Sequence, residues 1–150
     1  MKLKKALTKD NYGMANITLL KSMHLSINVK INGVKGVFLL DTGASNSCLD
    51  LNAIKKFNIK AKKSKHKAVG AGNSEIDTKF SSKNKIKVGD ITFKKSPIVL
   101  LDLTHVNGAL EQMNSGKVHG VLGADILHNY DCVVDYKGLN FYIKKVVSFL

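Results

Sequence analysis

At 150 residues and 44% hydrophobic content, the chain is large enough for one domain with a substantial core. No apolar run approaches the roughly 20 residues of a membrane span, and no apolar segment follows the basic start Met1-Lys2-Leu3-Lys4-Lys5 before Asp10 and Asn11. The reading is a protein of the cytoplasm. The formal charge of +13 rests on 24 cationic side chains, all of them lysine. Seven of these fall between Lys55 and Lys67, which raises a nucleic-acid or acidic-surface reading. The lack of arginine forks and of aromatics interleaved with the lysines argues against it; a solvated face is the simpler account.

Residues 1–22 are weakly patterned and read as an N-terminal arm or edge strand, with a single domain over residues 23–150. Leu25, Ile27, Val29 and Ile31 alternate with polar residues, the signature of a half-buried strand. Asn32-Gly33 supplies a two-residue hairpin turn, and Val34 to Leu40 returns as a more continuously apolar strand. Asp50 is placed to cap a short helix with Leu51, Ile54 and Phe57 on one face. After the lysine run, Ala68 to Ser74 reads as a glycine-bearing hairpin tip. Lys85–Val88 and Ile91–Phe93 form a hairpin, Pro97–Leu101 a buried strand, and Thr104 opens a helix with Leu103, Val106, Leu110 and Met113 at helical spacing. The final third reads strand (118–122), short helix (124–129), strand (132–136), turn (137–138) and strand (139–143), then an apolar tail from Val146 to Leu150. The fold class expected is a mostly-β barrel with two or three short helices.

The chemistry concentrates in Val37-Phe38-Leu39-Leu40-Asp41-Thr42-Gly43-Ala44-Ser45. A lone carboxylate buried at the end of an apolar strand is costly unless paired or hydrogen-bonded. A chain accepts it most readily where the carboxylate does chemistry. Cys48 and Cys132 lack metal-ligand spacing, and the five histidines show no paired metal-binding pattern. No metal or cofactor is expected, and both cysteines are read as reduced structural thiols. Ser45 and Ser47 have no convincing His–Asp partners.

Two apolar residues followed by Asp-Thr-Gly-Ala-Ser resemble the active-site loop of the aspartic proteases. Val121-Leu122-Gly123-Ala124-Asp125-Ile126-Leu127 is similar to the glycine-and-helix segment that crosses behind that loop in the retropepsin-like branch. The hairpin at Val69–Ser74 stands where that branch places its flap. The resemblance covers about residues 23–143 and implies an acid-protease barrel. It implies catalytic Asp41 with Thr42 and Gly43, substrate contacts from Ala44, Ser45, Val69, Gly70, Ala71, Gly72 and Asn73, and structural support from Leu122, Gly123, Ala124 and Asp125. Asp125 reads as a helix N-terminal residue rather than a catalytic group.

A dyad needs two carboxylates, yet no second Asp-Thr-Gly or Asp-Ser-Gly occurs. The resemblance therefore implies a homodimer with Asp41 from each subunit activating a water, and a peptide or protein as substrate. The arm before residue 23 and the tail 146–150 are the candidate interface segments. Retroviral members carry an acidic residue where Ser45 stands and an arginine where Ala124 stands; here both are uncharged, which predicts a weaker dimer. Ala44 lacks the hydroxyl of pepsin-like members, which predicts a working pH nearer neutrality. Two other functions stay open: a catalytically silent peptide-binding module of the same fold, and a basic protein for nucleic acid or acidic surfaces.

Overall fold

The computed structural model describes residues 2–64, 68–69 and 75–146, with backbone alone at 68–69, 75–76 and 94–95. Helix α1 (Lys2–Lys9) and strand β1 (Tyr12–Leu19) occupy the expected arm. The hairpin β2 (Leu25–Ile31) and β3 (Val34–Leu40) follows, then β4 (Cys48–Asp50) and a single 3-10 turn at Leu51–Ala53. Next come the short strands β5 (Lys62–Lys63), β6 (Ala68–Val69) and β7 (Glu75–Ile76) and the long pair β8 (Lys79–Val88) and β9 (Ile91–Leu101). Helix α2 (Thr104–Gln112), β10 (Gly120–Leu122), helix α3 (Ala124–Asn129), β11 (Val133–Asp135) and β12 (Asn140–Lys144) complete the chain.

Strands β2, β3, β10, β4, β9 and β8 pair in that order, and β2 pairs again with β8, closing a six-stranded barrel. Closure removes the exposed edges that an open sheet would present. The β2–β3 turn places Asn32 at φ 51° and Gly33 at φ 85°, the paired left-handed conformation that Asn-Gly favours. Asn32 then becomes a hub: its Nδ2 donates to the Phe57 carbonyl at 2.9 Å and its Oδ1 accepts from Lys85 N–H at 3.0 Å.

The alternating residues Leu25, Ile27, Val29 and Ile31 all point into the barrel, where they meet Phe38, Leu40, Leu49, Ile86, Val88, Leu100 and Leu122. A second cluster lies on the outer face, where Leu39, Cys48 and Val121 pack against Leu103, Leu110 and Val118. The continuous apolar run at the end of β3 is thereby explained. Phe38 and Leu40 face inward while Leu39 faces the residues of and around α2, so both sides of the strand are covered.

The structure differs from the sequence pattern in three places. The arm is a helix followed by a strand, which pairs with β12 over Tyr12–Asn16 and with β2 over Ile17–Leu19. The expected short hairpin after residue 85 and the strand at Pro97 form one long pair, with register shifts around Asn84. Pro97 has no N–H to contribute to a ladder, and beside it the Asn84 amide donates to the carbonyls of Ser96 and Ser81. The helix after Asp50 is a single turn, capped as expected by the Asp50 carboxylate accepting Asn52 N–H at 3.2 Å.

Phe57 is fully buried, and its ring occupies the space where a side chain on Gly36 would stand, at 2.6 Å from an added Cβ. Phe57→Ala is expected to cost about 3–5 kcal/mol, read in urea unfolding as a lower midpoint with an unchanged slope.

Candidate active site

Strand β3 runs parallel to β10, with Phe38 opposite Gly120 and Leu40 opposite Leu122. The ladder ends as Asp41 N–H donates to the Leu122 carbonyl at 3.0 Å, and the chain leaves the barrel there. The Asp41 carboxylate folds back on its own loop: Oδ1 accepts Gly43 N–H at 2.8 Å, and the Asp41 carbonyl accepts Ala44 N–H at 3.3 Å. A Cβ on Gly43 would stand 3.2 Å from that same Oδ1. Glycine here keeps the carboxylate's resting position open.

The segment after β10 clamps this loop from behind. Ala124 N–H donates to the Ala44 carbonyl at 2.7 Å. A Cβ on Gly123 would lie 2.6 Å from that carbonyl oxygen and 3.0 Å from Asn46 backbone atoms. These are backbone obstacles that cannot rotate away. Ser47 ties the two segments together. Its Oγ donates to Asp125 Oδ1 at 2.7 Å and accepts Gly123 N–H at 2.8 Å, while its own N–H reaches the same Oδ1 at 2.9 Å. Asp125 also accepts Ile126 N–H at 2.9 Å in the first turn of α3, the role expected of a helix N-terminal carboxylate.

Asp41, Thr42, Gly43 and Ser45 are exposed and Ala44 is half-buried. The expectation of a carboxylate buried at a strand end is therefore corrected for the single chain, in which Asp41 emerges beyond Leu40 into solvent. Around the loop the structure gathers Asp41, Thr42, Gly43, Ala44 and Ser45 with Leu122, Gly123, Ala124 and Asp125. Of the hairpin expected as a flap, the described residues show the pairs Ala68–Ile76 and Val69–Glu75. Gly70, Ala71, Gly72 and Asn73 lie outside the described residues. Ser47 is the member that sequence reasoning passed over. Its signal was indirect, a small hydroxyl at the head of a buried strand, because its partner stands 78 positions away.

Burial pushes the Cys48 thiol up to about 11, with smaller contributions from the nearby carboxylates Asp125, Asp50 and Asp41. Burial likewise raises Cys132 to about 12. Both are structural thiols in the protonated form, which agrees with their reading as small hydrophobes.

Residues 27–126 match the aspartyl protease family. The chain belongs to that family, and its barrel is retropepsin-like. Among solved structures it is similar to a retropepsin-like aspartic protease from Rickettsia conorii, at 18% identity and TM-score 0.55, over 88% of this chain and 91% of that one. It is similar to the retroviral protease-like domain of Ddi1 from Leishmania major, at 15% identity and TM-score 0.56, over 86% and 90%. It also resembles EIAV protease in complex with the inhibitor HBY-793, at 22% identity and TM-score 0.52, over 69% and 85%. No curated protein matches the chain.

Gly123→Ala is expected to destabilise the fold by about 2 kcal/mol or more through backbone overpacking, with a matching fall in melting temperature. Ser47→Ala should cost about 1–2 kcal/mol for the lost bonds to Asp125 and Gly123. The raised thiols give a pH expectation. A cysteine whose value rises stays neutral below that value, and only the thiolate attacks. At pH 8 a thiol-reactive disulfide reagent should label neither cysteine in the native protein and both after denaturation.

Proposed function

We propose that the protein is an aspartic endopeptidase whose active site forms when two copies bring their Asp41 loops together across a two-fold axis. The observation that carries this reading is the Asp41 carboxylate itself. It is held by Gly43 N–H on a loop clamped from behind, and it faces solvent. A stiff, open loop with one exposed carboxylate is suited to meeting a second copy of itself.

In that arrangement two carboxylates about 3 Å apart cannot both ionise, so they share one proton. The ionised member takes a proton from a water, whose oxygen attacks the peptide carbonyl carbon. The protonated member gives its proton to the carbonyl oxygen, forming a tetrahedral diol. Its collapse returns a proton to the acid pair and delivers one to the leaving amine. Thr42 contributes a hydroxyl to the opposing loop, and Ala44 with Ser45 lines the cleft on the substrate side. The flap residues Val69 to Asn73 cover an extended peptide with apolar residues near the scissile bond.

The uncharged pair Ser45 and Ala124 favours a weak dimer, since the loop–helix tie here runs through Ser47 and Asp125 inside one chain. Strand β1 pairs with β12 over Tyr12–Asn16 and with β2 over Ile17–Leu19, and in this reading the interface centres on the active-site loop. Among the described residues no helix is long and apolar enough to cross a membrane. A cytoplasmic setting, where Cys48 and Cys132 stay reduced, fits this reading.

The test is cleavage of a peptide library at several pH values with wild type and Asp41→Asn, with and without pepstatin, beside solution mass against concentration. The expected outcome is pepstatin-sensitive cleavage whose rate per chain rises with protein concentration and falls at least about a thousandfold in Asp41→Asn. Cleavage that survives the substitution would overturn the reading. A strict monomer at high concentration without turnover would leave the peptide-binding module.

A further inference from the structure

A recess of about 490 Å³ lies on the other side of the barrel wall from the core, between the segment after β4, helix α2 and the start of β10. His119 stands in its wall, at the opposite end of β10 from Gly123. Its backbone is fixed on both sides: N–H donates to the Val37 carbonyl at 2.7 Å and its carbonyl accepts Asp50 N–H at 2.8 Å. Its ring is fixed as well, with the edge of Phe57 at 5.5 Å between centroids and Nδ1 accepting Val37 N–H at 3.1 Å.

That last bond has a chemical consequence. A neutral imidazole offers one acceptor nitrogen and one N–H. A backbone amide can only donate, so Val37 takes the acceptor and Nε2 must carry the hydrogen. Yet Nε2 points at the Lys56 Nζ, 3.0 Å away, and an ammonium has three donors and no acceptor. Two donors face each other, and among the described residues no hydrogen-bond acceptor takes either proton. Protonating the ring would not help, because it would set a second N–H against Val37. Burial and then the Lys56 charge lower the basicity of His119, in keeping with a neutral ring.

Nor do the recess's own acceptors resolve the conflict. Asp50 Oδ1 is engaged by Asn52 N–H, Asn52 Nδ2 and Leu103 N–H. Glu111 pairs with Lys117 at 3.3 Å. The Asn107 amide is spent in both directions on the backbone of Val118. What the recess presents to a guest is the Nε2–H of His119, the Lys56 ammonium and the remaining protons of Lys117, beside the Asp50 and Glu111 carboxylates, each already engaged by other donors. The complementary guest has several acceptor oxygens, no donor need and negative charge. A tetrahedral oxyanion meets donors converging from separate walls better than a planar carboxylate does.

We propose that this recess binds a phosphate group, free or as the ester of a small molecule, between Lys56 Nζ and His119 Nε2–H. The site is separate from the Asp41 loop and does not depend on peptide cleavage.

The experiment titrates inorganic phosphate into the full chain at constant ionic strength, following the His119 ring nitrogens and the Val37 amide by NMR, with sodium chloride as the control. A saturable shift at both positions is expected. Lys56→Met should weaken binding about tenfold, the value of one charge-assisted hydrogen bond, while Lys55→Met leaves it unchanged. Retained chemical-shift dispersion shows that each variant is folded. Glycerol phosphate in parallel separates the two sources. Tighter binding of the ester assigns the rest of the recess to an organic group, and tighter binding of inorganic phosphate assigns the free ion. A shift that is linear and matched by chloride overturns the proposal, because Lys56 then simply turns into water. An equal loss in Lys55→Met also overturns it, because the attraction is then diffuse.

Discussion

The fold and its chemistry both depend on β10 running parallel to β3 and then turning behind the loop that β3 delivers. Three contacts make that crossing close: Asp41 N–H on the Leu122 carbonyl, Ala124 N–H on the Ala44 carbonyl, and the missing side chain at Gly123. Each is a main-chain interaction, and the side-chain bonds of Ser47 with Asp125 and Gly123 tie the same two segments together. This stiffness suits the catalytic role proposed for Asp41, which needs its carboxylate held within a few tenths of an ångström.

The barrel supports the crossing by burying both faces of β3. The inner cluster around Phe38 and Leu40 and the outer one around Leu39 and Val121 are separated only by the strands themselves. A wall packed on both sides has few alternative arrangements. Gly120 reinforces this, since an added Cβ would lie 2.2 Å from the Phe38 ring and 2.5 Å from the Cys48 carbonyl. The position where β10 enters the sheet and the position where it leaves are both reserved for glycine.

Charge is distributed in a different pattern from packing. The described lysine side chains lie outside the barrel, and the described ion pairs, Lys117–Glu111, Lys144–Asp10 and Lys145–Asp90, engage three of them at the surface. Such pairs contribute little to stability. The consequence of the excess is local, where a cation is held against a group that cannot accept its protons, as Lys56 is against His119. The interior meanwhile holds its two thiols neutral by desolvation.

The sequence by itself determined the local features: the β2–β3 hairpin, the Asp-Thr-Gly-Ala turn and the Gly-x-Asp start of α3. These follow from alternation, turn conformation and short motifs, all of which act over a few residues. Only the tertiary structure decided the rest. It placed β1 inside the sheet, joined Ser47 to Asp125, set His119 against Lys56 and left Asp41 in solvent. The physical reason is sequence separation. Those contacts join positions 63 to 78 apart or depend on strand register, which local periodicity does not encode. Whether a carboxylate at a strand end is buried is likewise a property of what packs over it, and in the single chain Asp41 is exposed.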